Sequence, residues 1–553
     1  MKAVHTLATP LDMFYHWEKT TPQRVFLRQP VDGLWQELRW SDVAFQVRRI
    51  AQVLKDLGCQ PGDRVAILSK NCAHWIMADL AIFLSGCVSV PLYPNQSADT
   101  LRYVLEHSET KAIFVGKLDQ PEALDKGIPE GIHRIRFPYP NAMTADLAWG
   151  DLLQKGALWA ESPRRNREEL ASIIYTSGTT GHPKGVMHTF ASMAAAAQSF
   201  TVAYQFSDKD RLFSYLPLSH VAERILIEMN GLFANATISF AESQESFVSQ
   251  LQSVQPTLFF SVPRLWTKFQ QGVLSKMSQE KLDRLLSIPL LSQLVQRKLR
   301  YGLGLGKARV IGSGAAPIAP SLLTWYQKLG IEITEGYGLT ETFGLATGSQ
   351  PGQTQFGTVG KPMPGCKITC DSQGQILIRN GALMKGYYKD PEATAAILKD
   401  GALQTGDIGR LDARGYLHIT GRIKEIFKTD KGKYVAPGPI EHKLLAHNPH
   451  IEQLIITGHS LPHPVALCVL TERARQQPRE QIQKAFAESL EELNRLLDSH
   501  ERVNHCVLVS EDWTIEGGLM TPTLKIKRHT VEKKYQEKLS RIVESKDLVI
   551  WDS

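Results

Sequence analysis

Cysteine is scarce in this 553-residue chain: seven are scattered through it, none in a Cys-x-x-Cys pair. Cys366 and Cys370 stand four apart, with no histidine or second pair nearby to complete a zinc site. An odd, dispersed set fits a reducing, cytoplasmic setting better than a disulfide framework. Long apolar runs are missing too. The longest stretch, Leu80 to Tyr93, is broken by Ser85, Gly86, Ser89 and Pro91 and falls short of the ~20 residues a spanning helix needs. The N-terminal MKAVHTLATPLDMFYHWEKT is interrupted by His5, Pro10 and Asp12, so it lacks the roughly 7–15-residue apolar core of a secretion signal. Charge is nearly balanced, 63 basic against 56 acidic residues, net +7. That is too mild to call for nucleic acid. Peripheral contact with a membrane stays open, as does the oligomeric state, a homodimer among the alternatives.

What is present is an ordinary globular composition, 43% apolar and 22% charged, in a chain too long for one core. Helical spacing of Val43, Val47, Ile50, Ala51, Val53 and Leu54 ends at Gly58, and Arg64–Leu68 follows as a strand. A helix from His74 to Ser85, a strand Val88–Leu92, a helix Ala98–His107 and a strand Ala112–Val115 continue the alternation. Such alternation predicts a parallel sheet covered on both faces. Pro129 to Glu168 reads as a polar surface connection, and His188 to Phe200 as an alanine-dominated helix. Further strands are expected at Pro256–Arg264, Ala308–Gly312 and Glu332–Thr334. From Thr358 short strands and turns predict a small antiparallel region. Beyond residue 421 the pattern loosens, with strands at Leu454–Thr457 and Ala466–Leu470, a helix from about Glu480 to Leu497, and a basic end. Two domains are expected, 1–421 and 422–553.

The densest chemical signal is Ile173 to Val186, IIYTSGTTGHPKGV. From Thr176 to Gly185, nine of ten residues are Thr, Ser, Gly, Pro or Lys. Glycine lets backbone approach a ligand closely; the hydroxyls of Thr176, Ser177, Thr179 and Thr180 and the charge of Lys184 can surround phosphate oxygens. The spacing is not that of the P-loop, because Gly185 follows Lys184. Gly302–Lys307 resembles a dinucleotide fingerprint only superficially, since it precedes a strand instead of following one.

These residues are similar to the adenylate-forming acyl-CoA synthetases, the long-chain fatty-acyl group in particular. Tyr175–Val186 resembles the phosphate loop of that family, Tyr337–Thr342 (YGLTET) its second core motif, Thr405–Asp407 its third, and Gly421–Glu425 its hinge. Leu216–His220, Val262–Arg264, Lys433–Pro437 and Leu519–Arg528 resemble the long-chain members.

The resemblance implies a large α/β N-terminal domain hinged to a smaller, mobile α+β domain. It implies ATP, Mg2+ and coenzyme A as partners, with a fatty acid as the other small-molecule substrate. Thr176, Ser177, Gly178, Thr179, Thr180, Gly181 and Lys184 would hold phosphates, and Glu341 with Thr179 would ligate Mg2+. Thr340 would touch the α-phosphate. Gly314, Ala315, Ala316, Glu335, Gly336, Tyr337 and Gly338 would form the adenine slot. Asp407, assisted by Arg422, would take the ribose hydroxyls. His220 would lie beside the carboxylate, with a purely structural histidine as the alternative. Lys525 would be the lysine bridging α-phosphate and carboxylate, with Lys527 as the fallback, because Leu524 replaces the usual glycine. The small domain would then rotate about Lys424 to admit the thiol. An acyl pocket is expected between the alanine-rich helix, His220 and Val262–Trp266.

A fatty-acyl-AMP ligase serving a carrier protein and an aryl or short-chain ligase share the first half-reaction and remain alternatives. No carrier or reductase domain is expected after residue 553. An adenylate-binding sensor without catalysis is disfavoured by the presence of Lys184, Glu341, Asp407 and Lys525.

Overall fold

The computed structural model describes residues 8–140, 142–155, 157–176, 182–521 and 525–552. Its largest sheet has eight strands. Leu170–Thr176, Val88–Leu92, Arg64–Leu68, Thr110–Val115, His133–Arg136 and Leu147–Ala148 run parallel in that spatial order. The runs of the four central strands, Leu170–Thr176, Val88–Leu92, Arg64–Leu68 and Thr110–Val115, are buried on both faces, as a helix-covered parallel sheet requires. The helix Ala73–Ser85 illustrates the reason: twelve of its thirteen residues are buried, so it has no polar face to turn outward.

The second sheet carries Leu258–Ser261, Val310–Ser313 and Thr334–Tyr337 in parallel, then Thr347–Gly348 and Lys361–Pro362 antiparallel. A third joins Arg211–Ser214, Thr237–Phe240, Val25–Val31 and Leu34–Arg39. The antiparallel region expected after Thr358 is a five-stranded sheet that includes Ala402–Leu411 and Leu417–Arg422. Residues 427–551 build cores of their own around the strands Ile451–Thr457, Val465–Leu470 and His505–Val509.

Several local expectations shift. Lys184–Thr189 is a strand, paired antiparallel with Leu170–Thr176, and the alanine-rich helix starts after it, at Phe190–Tyr204. Val186 and His188 are buried within that strand, and Thr189 takes the amide of Ser192 as the helix cap. Pro129–Glu168 holds two edge strands and the helix Trp149–Lys155. The strand expected at Glu332–Thr334 lies at Thr334–Tyr337. No described helix is long and apolar enough to cross a membrane.

Candidate functional site

The site lies where the strands Leu170–Thr176, Val310–Ser313 and Thr334–Tyr337 end, the crevice where open α/β sheets bind ligands. Ser177, Gly178, Thr179, Thr180 and Gly181 lie outside the described residues. Their two anchors are described: Thr176 pairs with Lys184 across the hairpin. The Lys184 ammonium lies 3.2 Å from Asp390 and 5.0 Å from the Tyr387 ring centroid, so the hairpin presents its charge from a fixed place.

The acidic turn is a single 3-10 turn, Thr340–Thr342. The Tyr387 hydroxyl donates to Glu341 Oε1 at 2.7 Å, and the Met384 amide donates to the Glu341 carbonyl at 2.8 Å. From beneath, His188 Nε2 meets the Thr340 carbonyl at 2.7 Å. A carbonyl can only accept, so Nε2 carries the proton. Burial drives the His188 pKa down to about 4, which keeps the ring neutral. Gly338 approaches the turn so closely that a Cβ there would sit 2.2 Å from the Gly344 carbonyl oxygen.

Asp407 and Arg422 face each other across neighbouring strands. Asp407 is buried; its Oδ1 accepts from Arg422 Nε at 2.7 Å and its Oδ2 from the Tyr337 hydroxyl at 2.6 Å. Burial opposes the Arg422 charge, but Asp407 beside it more than offsets that. The Tyr337 proton is held by burial and by the Asp407 charge.

Next to this triad, the strand ends bring backbones close together. A Cβ on Gly314 would lie 2.8 Å from the Gly336 carbonyl and 3.1 Å from the Phe260 ring, and Ala315 adopts φ +63°. Ala315 and Ala316 are exposed to the cleft. Glu335 pairs with Ser313 in register, and burial pushes its carboxyl up to about 8. Glu335 Oε1 and Ser313 Oγ are buried without a hydrogen-bond partner, and so is Ser349 Oγ. Three buried polar atoms without partners thus belong to neighbouring strand positions here, which is uncommon in a folded protein.

His220 caps the short helix Val221–Glu223, its Nδ1 accepting from the Ala222 amide at 3.2 Å. Its loop is tied down by Asn71, whose Oδ1 takes the Leu218 amide at 3.0 Å. Glu223 ties the same loop by accepting from Ser214 Oγ at 2.8 Å and the Tyr215 amide at 2.9 Å. Arg224 then opens a π-helical turn, Arg224–Met229, fully buried and paired with Asp79 and with Glu228 at 3.0 Å. Such turns occur frequently at functional sites.

The C-terminal region supplies Lys525. Its pKa is lowered by burial and by Arg422, while Asp407, Glu341 and Glu425 pull it back up. It also depresses His220, already lowered to about 4 mainly by burial. One lysine therefore sits within electrostatic reach of the acidic turn, the Asp407–Arg422 pair and His220. The residue as a whole remains exposed to water. Lys527 instead precedes the helix Arg528–Ile542 as its N-cap residue, its amide donating to the Leu519 carbonyl. Arg264 and Glu452 link the two regions at 2.9 Å.

Lys184, Thr340, Glu341, Asp407, Arg422, Tyr337, His220 and Lys525 thus come to one cleft. Sequence reasoning missed Tyr387, His188, Asp390, Asn71 and Glu223. The one local signal for Tyr387 and Asp390 was Gly386-Tyr-Tyr ahead of Asp390-Pro391, a helix-capping pair; His188 read as the start of a helix.

Residues 14–388 match the AMP-binding enzyme family, and residues 425–547 match the C-terminal domain of AMP-binding enzymes. The chain belongs to the AMP-binding enzyme family. Among its relatives, the long-chain-fatty-acid--CoA ligase FadD15 of Mycobacterium bovis is 31% identical over 96% of this chain and 96% of that protein. The peroxisomal long chain acyl-CoA synthetase 7 of Arabidopsis thaliana is 30% identical over 97% of this chain and 86% of its own. Of solved structures, the anthranilate CoA ligase AuaEII with anthranoyl-AMP superposes with a TM-score of 0.78 at 20% identity, covering 96% and 98% of the two chains. The A-PCP didomain of the carboxylic acid reductase from Segniliparus rugosus with AMP gives 0.80 at 22%, covering 98% and 83%. At these identities the likeness is one of fold.

Proposed function

We propose that the protein activates a long-chain fatty acid with ATP and transfers it to coenzyme A. In the first step a carboxylate oxygen attacks the α-phosphorus, the bond from that phosphorus to the bridging oxygen breaks, and pyrophosphate leaves. In the second, the thiol sulfur of coenzyme A attacks the acyl carbon of the adenylate, the carbon–oxygen bond to AMP breaks, and the thiol proton passes to solvent. In-line displacement at phosphorus asks the protein for positioning and charge neutralisation more than for covalent help.

The observation that supports this reading is that Lys525, from the C-terminal region, lies within electrostatic reach of Arg422, Asp407 and Glu341 and also of His220. There its ammonium would neutralise the carboxylate and α-phosphate together. Lys184 and the Thr176–Gly181 loop would hold the departing phosphates, and Thr340 the α-phosphate. Tyr337, with Gly314–Ala316 and Glu335–Gly338, would line the adenine slot, and Asp407 with Arg422 would take the ribose hydroxyls. Neutral His220, its Nδ1 already engaged, would offer Nε2–H to the carboxylate.

Among the described residues no cluster of three or more His, Cys, Asp or Glu could cage a metal. One carboxylate beside a phosphate site still fits Mg2+, which takes its other oxygens from substrate and water; Glu341, aided by Thr179, would hold it. Bound there, Mg2+ would supply charge neutralisation on the phosphates. The lobes are taken as 1–421 and 422–553, with rotation about Lys424 admitting the thiol.

The test is AMP release across fatty acids of graded length, with and without coenzyme A. Because each buried CH2 contributes about 0.8 kcal/mol, kcat/KM should rise roughly fourfold per methylene until the pocket is filled. A maximum at aryl or short-chain acids would overturn the long-chain assignment. Turnover only with an acyl carrier protein would overturn coenzyme A as acceptor.

A further inference from the structure

The helix Pro289–Gly302 contains no buried residue. One side rests on the core below through Val295 and Leu299 and is pinned where Gln296 Nε2 donates to the Lys328 carbonyl at 2.9 Å. The other side is apolar and open. Leu290 is 82% exposed, Leu294 65% and Tyr301 59%, and Ile288, just ahead of the helix, is 49% exposed. Leu290 and Leu294 are one turn apart, and Tyr301 falls three turns after Leu290, so the three share a stripe. Arg297 and Lys298, both exposed, interrupt that stripe, and no carboxylate lies within ion-pair distance of either among the described residues.

Charge concentrates on the helical hairpin that this helix forms with Gln279–Leu286, and on the helix Pro263–Leu274 before it. From Pro263 to Gly302 there are eight Lys or Arg and two Asp or Glu, a net +6 in a chain whose total is +7. Lys268, Lys276, Lys281 and Arg284 likewise have no carboxylate partner among the described residues. Large open leucines flanked on their own helix by the unpaired Arg297 and Lys298, within a segment of net +6, are the pattern of a surface that lies on an anionic bilayer, the leucines entering the acyl boundary and the cations meeting phosphates. A second copy of the chain fits poorly. A two-fold interface would set Arg297 and Lys298 against themselves.

We propose that the Ile288–Tyr301 face docks the protein on an anionic phospholipid surface. The inference rests on the acyl-CoA ligase reading for its purpose, since a fatty acid partitions into such a surface. The helix Pro263–Leu274 joins this hairpin to the Val262–Trp266 segment expected at the acyl pocket.

The experiment sediments the full chain with phosphatidylcholine vesicles and with phosphatidylcholine–phosphatidylglycerol vesicles, at low and high NaCl. Binding is expected only to the anionic vesicles and should weaken with salt. The variants Leu290→Glu/Leu294→Glu and Arg297→Glu/Lys298→Glu should each bind about tenfold or more weakly. Both should turn over a water-soluble short acid at the wild-type rate, which shows that they are folded. Wild-type indifference to anionic vesicles, or variants binding as well as wild type, would overturn the proposal. So would light scattering showing a wild-type dimer that either double variant dissolves. A protein that ligates fatty acids yet ignores vesicles defeats this inference alone; one that binds vesicles yet never ligates defeats the functional reading.

Discussion

Lys525 shows how far a single side chain can be assigned. Sequence left two lysines two positions apart, with the glycine that usually marks the right one replaced by Leu524. Their surroundings differ, and on that difference we propose Lys525. Lys525 interacts electrostatically with His220, Asp407, Glu341 and Arg422, whereas Lys527 is the N-cap residue of a helix. We expect Lys525→Ala to slow acyl-adenylate formation by on the order of 10²–10³-fold, measured as pyrophosphate–ATP exchange. Conversion of preformed acyl-adenylate with coenzyme A should continue nearly unchanged. Equal loss of both steps would count against the assignment. His220 shows the reverse. Sequence left it open between substrate contact and structural service, and the structure engages one nitrogen, Nδ1, as a helix cap. A contact with the carboxylate would therefore fall to Nε2.

Elements decide which polar groups go unsatisfied. The strands ending at Ser313 and Tyr337, with the chain at Ser349, bring Ser313, Glu335 and Ser349 alongside one another, and none of the three orphaned atoms finds a partner. Burial raises Glu335 to about 8. A carboxyl raised on folding keeps its proton in the native state while the unfolded chain releases it near pH ~4.3, so the unfolded state binds fewer protons in between. Stability therefore falls as pH climbs from the ordinary carboxylate value through about 8, and levels off above. Glu335→Gln, which stays neutral, should remove that slope. Melting curves without ATP should converge for the two proteins at about pH 4, and the wild type should melt progressively lower up to about pH 8. Parallel curves across the range would refute the shift. Periodicity could not foresee this group. Its strand sits two residues later than the pattern around Glu332–Thr334 suggests, because the Gly336 and Tyr337 backbones are drawn into antiparallel pairing with Thr347–Gly348. The same limit hid the second hairpin strand, Lys184–Thr189, whose polar sequence becomes strand-like only beside Leu170–Thr176.

At the scale of the whole molecule the site is assembled from both lobes, so its geometry depends on how they meet. Lys424 lies in the middle of the 3-10 turn Ile423–Glu425, between Arg422, paired with Asp407, and the strand Phe427–Lys428 of the C-terminal core. Such a turn already holds φ near the value proline imposes. Lys424→Pro should therefore preserve the present arrangement while resisting any large rotation about this residue. Pyrophosphate–ATP exchange should persist and acyl-CoA production should collapse; retention of both activities would show that the second step needs no rotation at Lys424.

The sequence by itself determined the alternating α/β pattern, because side-chain periodicity and buried apolar runs are local properties that each segment carries with it. It also determined the nucleotide-facing motifs, because glycine, hydroxyl and acidic residues at fixed spacing state their backbone demands and their charge directly. Only the tertiary structure decided that Lys525 neighbours Asp407, Glu341 and Arg422, that Tyr387 and His188 brace the Glu341 turn, that Glu335 is left with an unpartnered oxygen, and that Leu290 and Leu294 face outward. Those outcomes depend on burial and on partners distant along the chain, 46 residues away for Tyr387 and Glu341 and 152 for His188 and Thr340, and no local pattern encodes either.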